Sequence, residues 1–162
     1  MCSSDLELFE TMTGTQMEHV IYKETSQLYL GVANGELAFA LGSSGTSGAL
    51  QRAGRIKYLA VAGPKRLAAY PDVPTVGESG GPKDFEVTGW TVLAAPKGLN
   101  PAIVQKIRRD VEKALAEPDV AQRYATFGYE VFPTTPEQFA NYVKGESTRY
   151  ADIIKKAGAS LD

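Results

Sequence analysis

The stretch Gly42-Ser43-Ser44-Gly45-Thr46-Ser47-Gly48 sets four hydroxyl-bearing residues among three glycines, directly after the apolar run 37–41. Backbone N–H groups and small hydroxyls in such a place can converge on an anion. Gly42, Ser43, Ser44 and Thr46 are therefore candidate ligands for a small carboxylate, with a plain surface connection as the other reading. No lysine follows the glycines, so the stretch is not a P-loop, and the three-glycine spacing with a later acid that marks a dinucleotide site is missing. Tyr22-Lys23 closes a second short apolar run and offers a phenol O–H and an ammonium for the same chemistry. The alternative there is a half-buried tyrosine beside a solvated lysine. Trp90, the single tryptophan, reads either as packing between lobes or as a wall of a ligand cleft.

Acid–base chemistry needs a group that titrates near neutrality, and His19 is the one histidine. It has no serine or cysteine partner nearby in the sequence. A hydrolase pairing His19 with a serine of residues 43–47 is thus a rival reading, a ligand-sensing regulatory lobe is another, and no catalytic residue is assigned. Cys2 lies at a terminus, without the fixed surroundings that activate a thiol. One cysteine and one histidine cannot form a cysteine–histidine zinc site. Glu24, Glu36 and Asp72 have neither the spacing of a glycosidase pair nor that of a metal site, so no metal or cofactor is expected. The 17 basic and 19 acidic residues give a net charge of −2 and no basic stripe, which argues against nucleic acid as a partner. No apolar run approaches bilayer length. The opening MCSSDLELFE has neither a basic start nor an apolar stretch and does not read as a signal peptide.

These residues need elements to hold them. A chain of 162 residues, 43% hydrophobic, has the length of about one domain and can bury a core. Helical spacing predicts helices over 6–12 and 26–33, the second ended by Asn34-Gly35, and a short helical turn over 49–53 after a loop at 42–48. Asn100-Pro101 is a cap followed by proline at the first helical position, opening a helix with Ile103, Val104, Ile107 and Val111 on one stripe. Pro118 opens another helix, stopped by Gly128. Thr135-Pro136-Glu137-Gln138 combines a cap, a proline and a capping-box glutamine, opening a last helix to about Ala157 with Gly158 as its stop. Residues 19–22, 37–41, 56–62 and 130–132 are expected as strands, the third buried on both faces as in a parallel sheet. Residues 70–82, with three prolines, should be irregular. Residues 85–95 read as a long extended crossing that Gly89 interrupts. Helices alternating with short apolar strands argue for an α/β fold.

The ordered motifs Leu59-Ala60-Val61-Ala62, Lys65-Arg66, and Tyr70-Pro71-Asp72-Val73-Pro74-Thr75-Val76-Gly77-Glu78-Ser79-Gly80 resemble the middle segment of the tripartite tricarboxylate transporter receptors. These are the periplasmic solute-binding proteins also called Bug proteins. The likeness continues upstream through His19-Val20-Ile21-Tyr22-Lys23 and downstream through Trp90, Ala95-Pro96-Lys97-Gly98 and Thr135-Pro136-Glu137-Gln138-Phe139, from about Leu8 onward. The resemblance implies an α/β, type II periplasmic-binding-protein-like architecture in incomplete two-lobe form. Residues 1–86 would supply most of the second lobe, without its beginning, and 87–162 the interlobe crossing and the C-terminal part of the first lobe. It also implies a small carboxylate as solute (a di- or tricarboxylate, an amino acid or an aromatic acid), a membrane permease as partner, and a periplasmic place of action for the full-length receptor. A truncated chain would bind weakly alone and would self-associate through exposed apolar surface. Glu24 stands where the family commonly has glycine, Ile21 where it has proline, and Ala38 where it tends to have aspartate.

Overall fold

The computed structural model describes residues 3–132 and 134–157. Cys2 and the expected stop at Gly158 lie outside the described residues. Six helices are found among the described residues: α1 Ser3–Thr13, α2 Thr25–Ala33, α3 Ser44–Arg52, α4 Pro101–Ala116, α5 Pro118–Thr126 and α6 Pro136–Ala157. They pack in three pairs: α1 on α6, α2 on α3, and α4 on α5.

The predicted start signals take effect. Asn100 accepts a hydrogen bond from the Ala102 N–H at 2.9 Å, and proline follows as the first residue of α4. At α6 the Thr135 N–H donates to Gln138 Oε1 at 2.8 Å while the Gln138 N–H donates to Thr135 Oγ1 at 3.1 Å, a reciprocal capping box. Gly35 follows α2 with φ of 80°, a left-handed turn that a side chain would oppose. Glu24 caps α2 through its backbone alone, its carbonyl accepting from the Gln27 and Leu28 N–H groups.

The core is small and centred on α1 and α2. Among the described residues Leu6, Leu28, Tyr29 and Phe85 are the buried apolar side chains. Phe9 of α1 meets Phe85 edge-on at 5.1 Å and Phe39 at 6.0 Å. The Arg149 guanidinium of α6 donates to the Glu86 carbonyl, and Lys65 pairs with Glu130 at 2.8 Å on the surface.

The strands expected at 19–22, 37–41, 56–62 and 130–132 are not formed among the described residues. One parallel bridge, Val61 with Thr75, stands in for the third: Val61 donates to the Pro74 carbonyl at 2.8 Å and receives from Val76 at 3.0 Å. Val87 adds a bond to the Ala62 carbonyl at 3.1 Å. A strand is held by neighbours on its edges and cover on its faces, and these segments have little of either. Leu59, in the middle of the run expected to be buried, is 59% exposed, and Ile21 is 81% exposed. A second correction concerns 42–48: the helix begins at Ser44, so the small residues from Ser44 onward belong to α3 rather than to a loop. Side-chain hydroxyls turned back onto the chain and close packing against α2 outweigh the poor helix propensity of glycine and serine there.

Candidate functional site

The hydroxyl cluster forms at the start of α3. Ser43 precedes the helix with extended backbone, and its carbonyl accepts from the Thr46 and Ser47 N–H groups. Tyr29, buried on α2, reaches across: its phenol oxygen accepts the Ser43 N–H at 3.2 Å and shares a hydrogen with Thr46 Oγ1 at 2.9 Å. Thr46 Oγ1 also lies 2.9 Å from Ser43 Oγ. Ser44 Oγ donates to the Phe127 carbonyl at 3.0 Å, tying the first turn of α3 to the end of α5. Gly128 makes room for that bond, since a Cβ there would lie 2.5 Å from Ser44 Oγ.

One turn along, Ser47 donates to the Ser43 carbonyl at 2.8 Å and lies 2.9 Å from the Tyr58 hydroxyl. Tyr58 meets Tyr70 edge-on at 4.9 Å. Burial pushes the Tyr58 phenol above its ordinary range, so it stays protonated and acts as a neutral hydrogen-bonding group. The cluster contains no carboxylate and no imidazole. It can accept an anion through the first-turn N–H groups of Ser44 and Gly45, which have no partner within a helix. Beside them stand the exposed residues Ser43 and Thr46, whose hydroxyls bond each other at 2.9 Å while that of Thr46 also reaches the Ser43 carbonyl at 3.1 Å.

The structure brings Gly42, Ser43, Ser44 and Thr46 together and leaves the other expected residues elsewhere. Tyr22 is half-buried with its hydroxyl against Gly31, while Tyr29 reaches α3 from a position two residues earlier on the same helix. At about 100° per residue those positions face nearly opposite sides of α2, so Tyr22 does not join the cluster. Lys23 is exposed. Trp90 packs edge-on against Phe139 at 5.6 Å and Tyr142 at 6.4 Å, both on α6. It also lines a shallow groove of about 390 Å³ with Ser4, Asp5 and Tyr150. His19 makes no hydrogen bond to a serine of 43–47, whose hydroxyls are engaged with Thr46, Phe127 and Tyr58. Among the described residues no group of His, Cys, Asp or Glu could hold a metal ion. No described helix is long and apolar enough to cross a membrane.

Sequence reasoning missed Tyr29, Tyr58 and Tyr70. The Tyr29–Thr46 pair is 17 residues apart, and no local spacing announces it.

A model of the tripartite tricarboxylate transporter family receptor matches residues 2–159. The chain belongs to that receptor family. It is similar to the protein BugT of Bordetella pertussis, 28% identical over 155 residues, which are 96% of this chain and 47% of BugT. Among solved structures it is similar to R. palustris Rpa4515 with adipate (TM-score 0.84, 29% identity, 96% of this chain and 52% of that one). It is also similar to MatC (Rpa3494) from Rhodopseudomonas palustris with bound malate, at TM-score 0.77 and 28% identity over 94% of this chain and 52% of that one. This receptor-family chain thus spans about half the length of the relatives it matches. The likeness to the structure of the periplasmic binding protein BugD (TM-score 0.78, 28% identity, 95% of this chain and 52% of that one) shows the architecture expected from the sequence for about half of that fold, here mostly helical.

Proposed function

We propose that this chain supplies one side of the solute grip of an extracytoplasmic receptor that binds a small carboxylate and delivers it to a membrane permease. The observation that carries the reading is the start of α3, where N–H groups without a side-chain cap share one turn with the hydroxyls of the exposed residues Ser43 and Thr46, held in place by Tyr29. Oriented backbone dipoles of this kind attract an anion without a lysine or arginine beside it. The two R. palustris neighbours carry adipate and malate, both dicarboxylates, which supports the solute class. In this reading residues 1–86 belong to the second lobe and 87–162 to the crossing and the first lobe, Lys23 and Trp90 are outer contacts of the cleft while Tyr22 supports α2 from its other side, and the receptor acts in the periplasm.

Titration of the isotope-labelled chain with adipate and with malate, followed by amide chemical shifts, tests this. One side of a cleft should bind weakly, with a dissociation constant of about 1 mM or more, equivalent to about 4 kcal/mol or less. The shifts should concentrate at Ser44, Gly45 and Thr46 and should be lost in Thr46→Val. Shifts spread over other surfaces, or none at the start of α3 up to 50-fold molar excess, would refute the assignment.

A further inference from the structure

We propose that residues 127–130 form a releasable strap across the first turn of α3, fastened by the Ser44 hydroxyl and the Lys65 ammonium, and that its release uncovers that turn. The strap follows α5 directly. Phe127 and Tyr129 lie over Gly45, where a Cβ would meet the Tyr129 hydroxyl at 3.6 Å and the Phe127 carbonyl at 3.7 Å. Two contacts between distant parts of the chain hold it there. Ser44 Oγ donates to the Phe127 carbonyl at 3.0 Å, and Lys65 pairs with Glu130 at 2.8 Å. Gly128 stands between the two fastenings with φ of 72°, and a side chain there would strike Ser44 Oγ.

The turn and the strap are held very differently. Buried Tyr29 of α2 ties the turn down through Ser43 and Thr46, and α2 packs on α3. The strap has no such anchor, because α5 contains no buried residue and packs on α4, which contains none either. Its ion pair is open to solvent, with Lys65 and Glu130 side chains 69% and 56% exposed, and the Ser44 bond is exposed as well. Exposed contacts of these kinds contribute little singly, and the ion pair is screened by salt. A segment held by few buried contacts and exposed hydrogen bonds opens locally while the core stays folded. The strap is therefore the part that moves. Its release frees the surroundings of the Ser44 and Gly45 N–H groups, which under the reading above sets the access of a carboxylate, but the strap itself does not depend on that reading.

Nitroxide labels on α3 and α5, at Ala49→Cys and Arg123→Cys in a Cys2→Ser chain, read the separation of the two helices by pulsed electron resonance; both sites are exposed. The distances should fall into a short population and a longer minority. Raising salt from about 0.05 M to about 0.5 M should increase the longer population by about threefold or more with the fastenings unaltered. Lys65→Glu and Ser44→Ala should each do the same at low salt. Lys65→Glu combined with Glu130→Lys should restore the original distribution, since the exchange rebuilds the ion pair. Salt should still act on Ser44→Ala and should lose its effect in Lys65→Ala. Lys113→Glu, an exposed charge on α4 away from the strap, should change nothing. Helix content by circular dichroism should match throughout, because the fastening side chains lie outside the core. A distribution that neither salt, Lys65→Glu nor Ser44→Ala moves would overturn the proposal. So would a charge exchange that fails to reverse the effect of Lys65→Glu.

Discussion

The phenol oxygen of Tyr29 sits so close to Gly42 that a Cβ added to that glycine would lie 2.1 Å away from it. The φ of Gly42 is not positive, so glycine is required there by crowding rather than by backbone conformation. Gly42→Ala should push Tyr29 off Ser43 and Thr46 and cost about 1–3 kcal/mol, as overpacking does. Tyr29→Phe in the same background removes the atom that clashes hardest. The double variant should therefore lose less stability than the two single losses summed, measured by urea unfolding in a double-mutant cycle. Simple additivity would show that the two residues do not compete for space.

Glu78 is held by two donors: Arg66 Nε–H is shared between its two carboxylate oxygens, at 3.1 and 2.9 Å, and the Thr75 N–H donates to it at 2.7 Å. The hydrogen bond from Arg66, followed by that from the Thr75 backbone, holds its carboxyl below the ordinary carboxylate range. A folded-state pKa lowered in this way stabilises the fold above the unfolded value of about 4.3, and the stabilisation is lost as pH falls through the lower folded value. Wild type should therefore exceed Glu78→Gln in stability by a constant margin above about pH 5, a margin that shrinks steadily as the medium becomes more acid. Because the pair is exposed, added salt should narrow the margin at every pH. A margin independent of pH between 2 and 6 would contradict the role given to Arg66.

The helices were legible because their signals are local. Asn100-Pro101 and Thr135-Pro136-Glu137-Gln138 specify their own hydrogen bonds within three residues, and both form as read. Strands depend on partners far along the chain, and the apolar run 56–62 shows the consequence. Its composition demands burial, but only Val61 and Ala62 gain backbone partners, from Pro74, Val76 and Val87. The hydroxyls at the start of α3 could be named from composition. Their organiser could not, because Tyr29 reads as one more core residue of an amphipathic helix until α2 is laid beside α3. Trp90 was legible only as an alternative between packing and ligand contact, and Phe139 and Tyr142 occupy the ring edge-on.

Phe85 carries more of this small core than its place at the start of an extended segment suggests. It is 2% exposed, and Phe9 of α1 meets its ring edge-on at 5.1 Å. Two residues further on, Val87 bonds the Ala62 carbonyl, and the intervening Glu86 carbonyl receives Arg149 of α6. Phe85 therefore joins three parts of the molecule at one point: α1, the Val61 bridge and α6. Phe85→Ala should cost about 3–5 kcal/mol, the range for deleting a buried aromatic side chain, because rings held by hydrogen-bonded backbone on two sides cannot collapse into the space left. Phe85→Leu should recover more than half of that loss, since it keeps most of the apolar volume. Chemical unfolding of the two variants, with amide exchange in α1 as a local readout, would decide the matter. A loss under about 1 kcal/mol for the alanine variant, well below the range for buried rings, would show that α1 and α6 hold together without it.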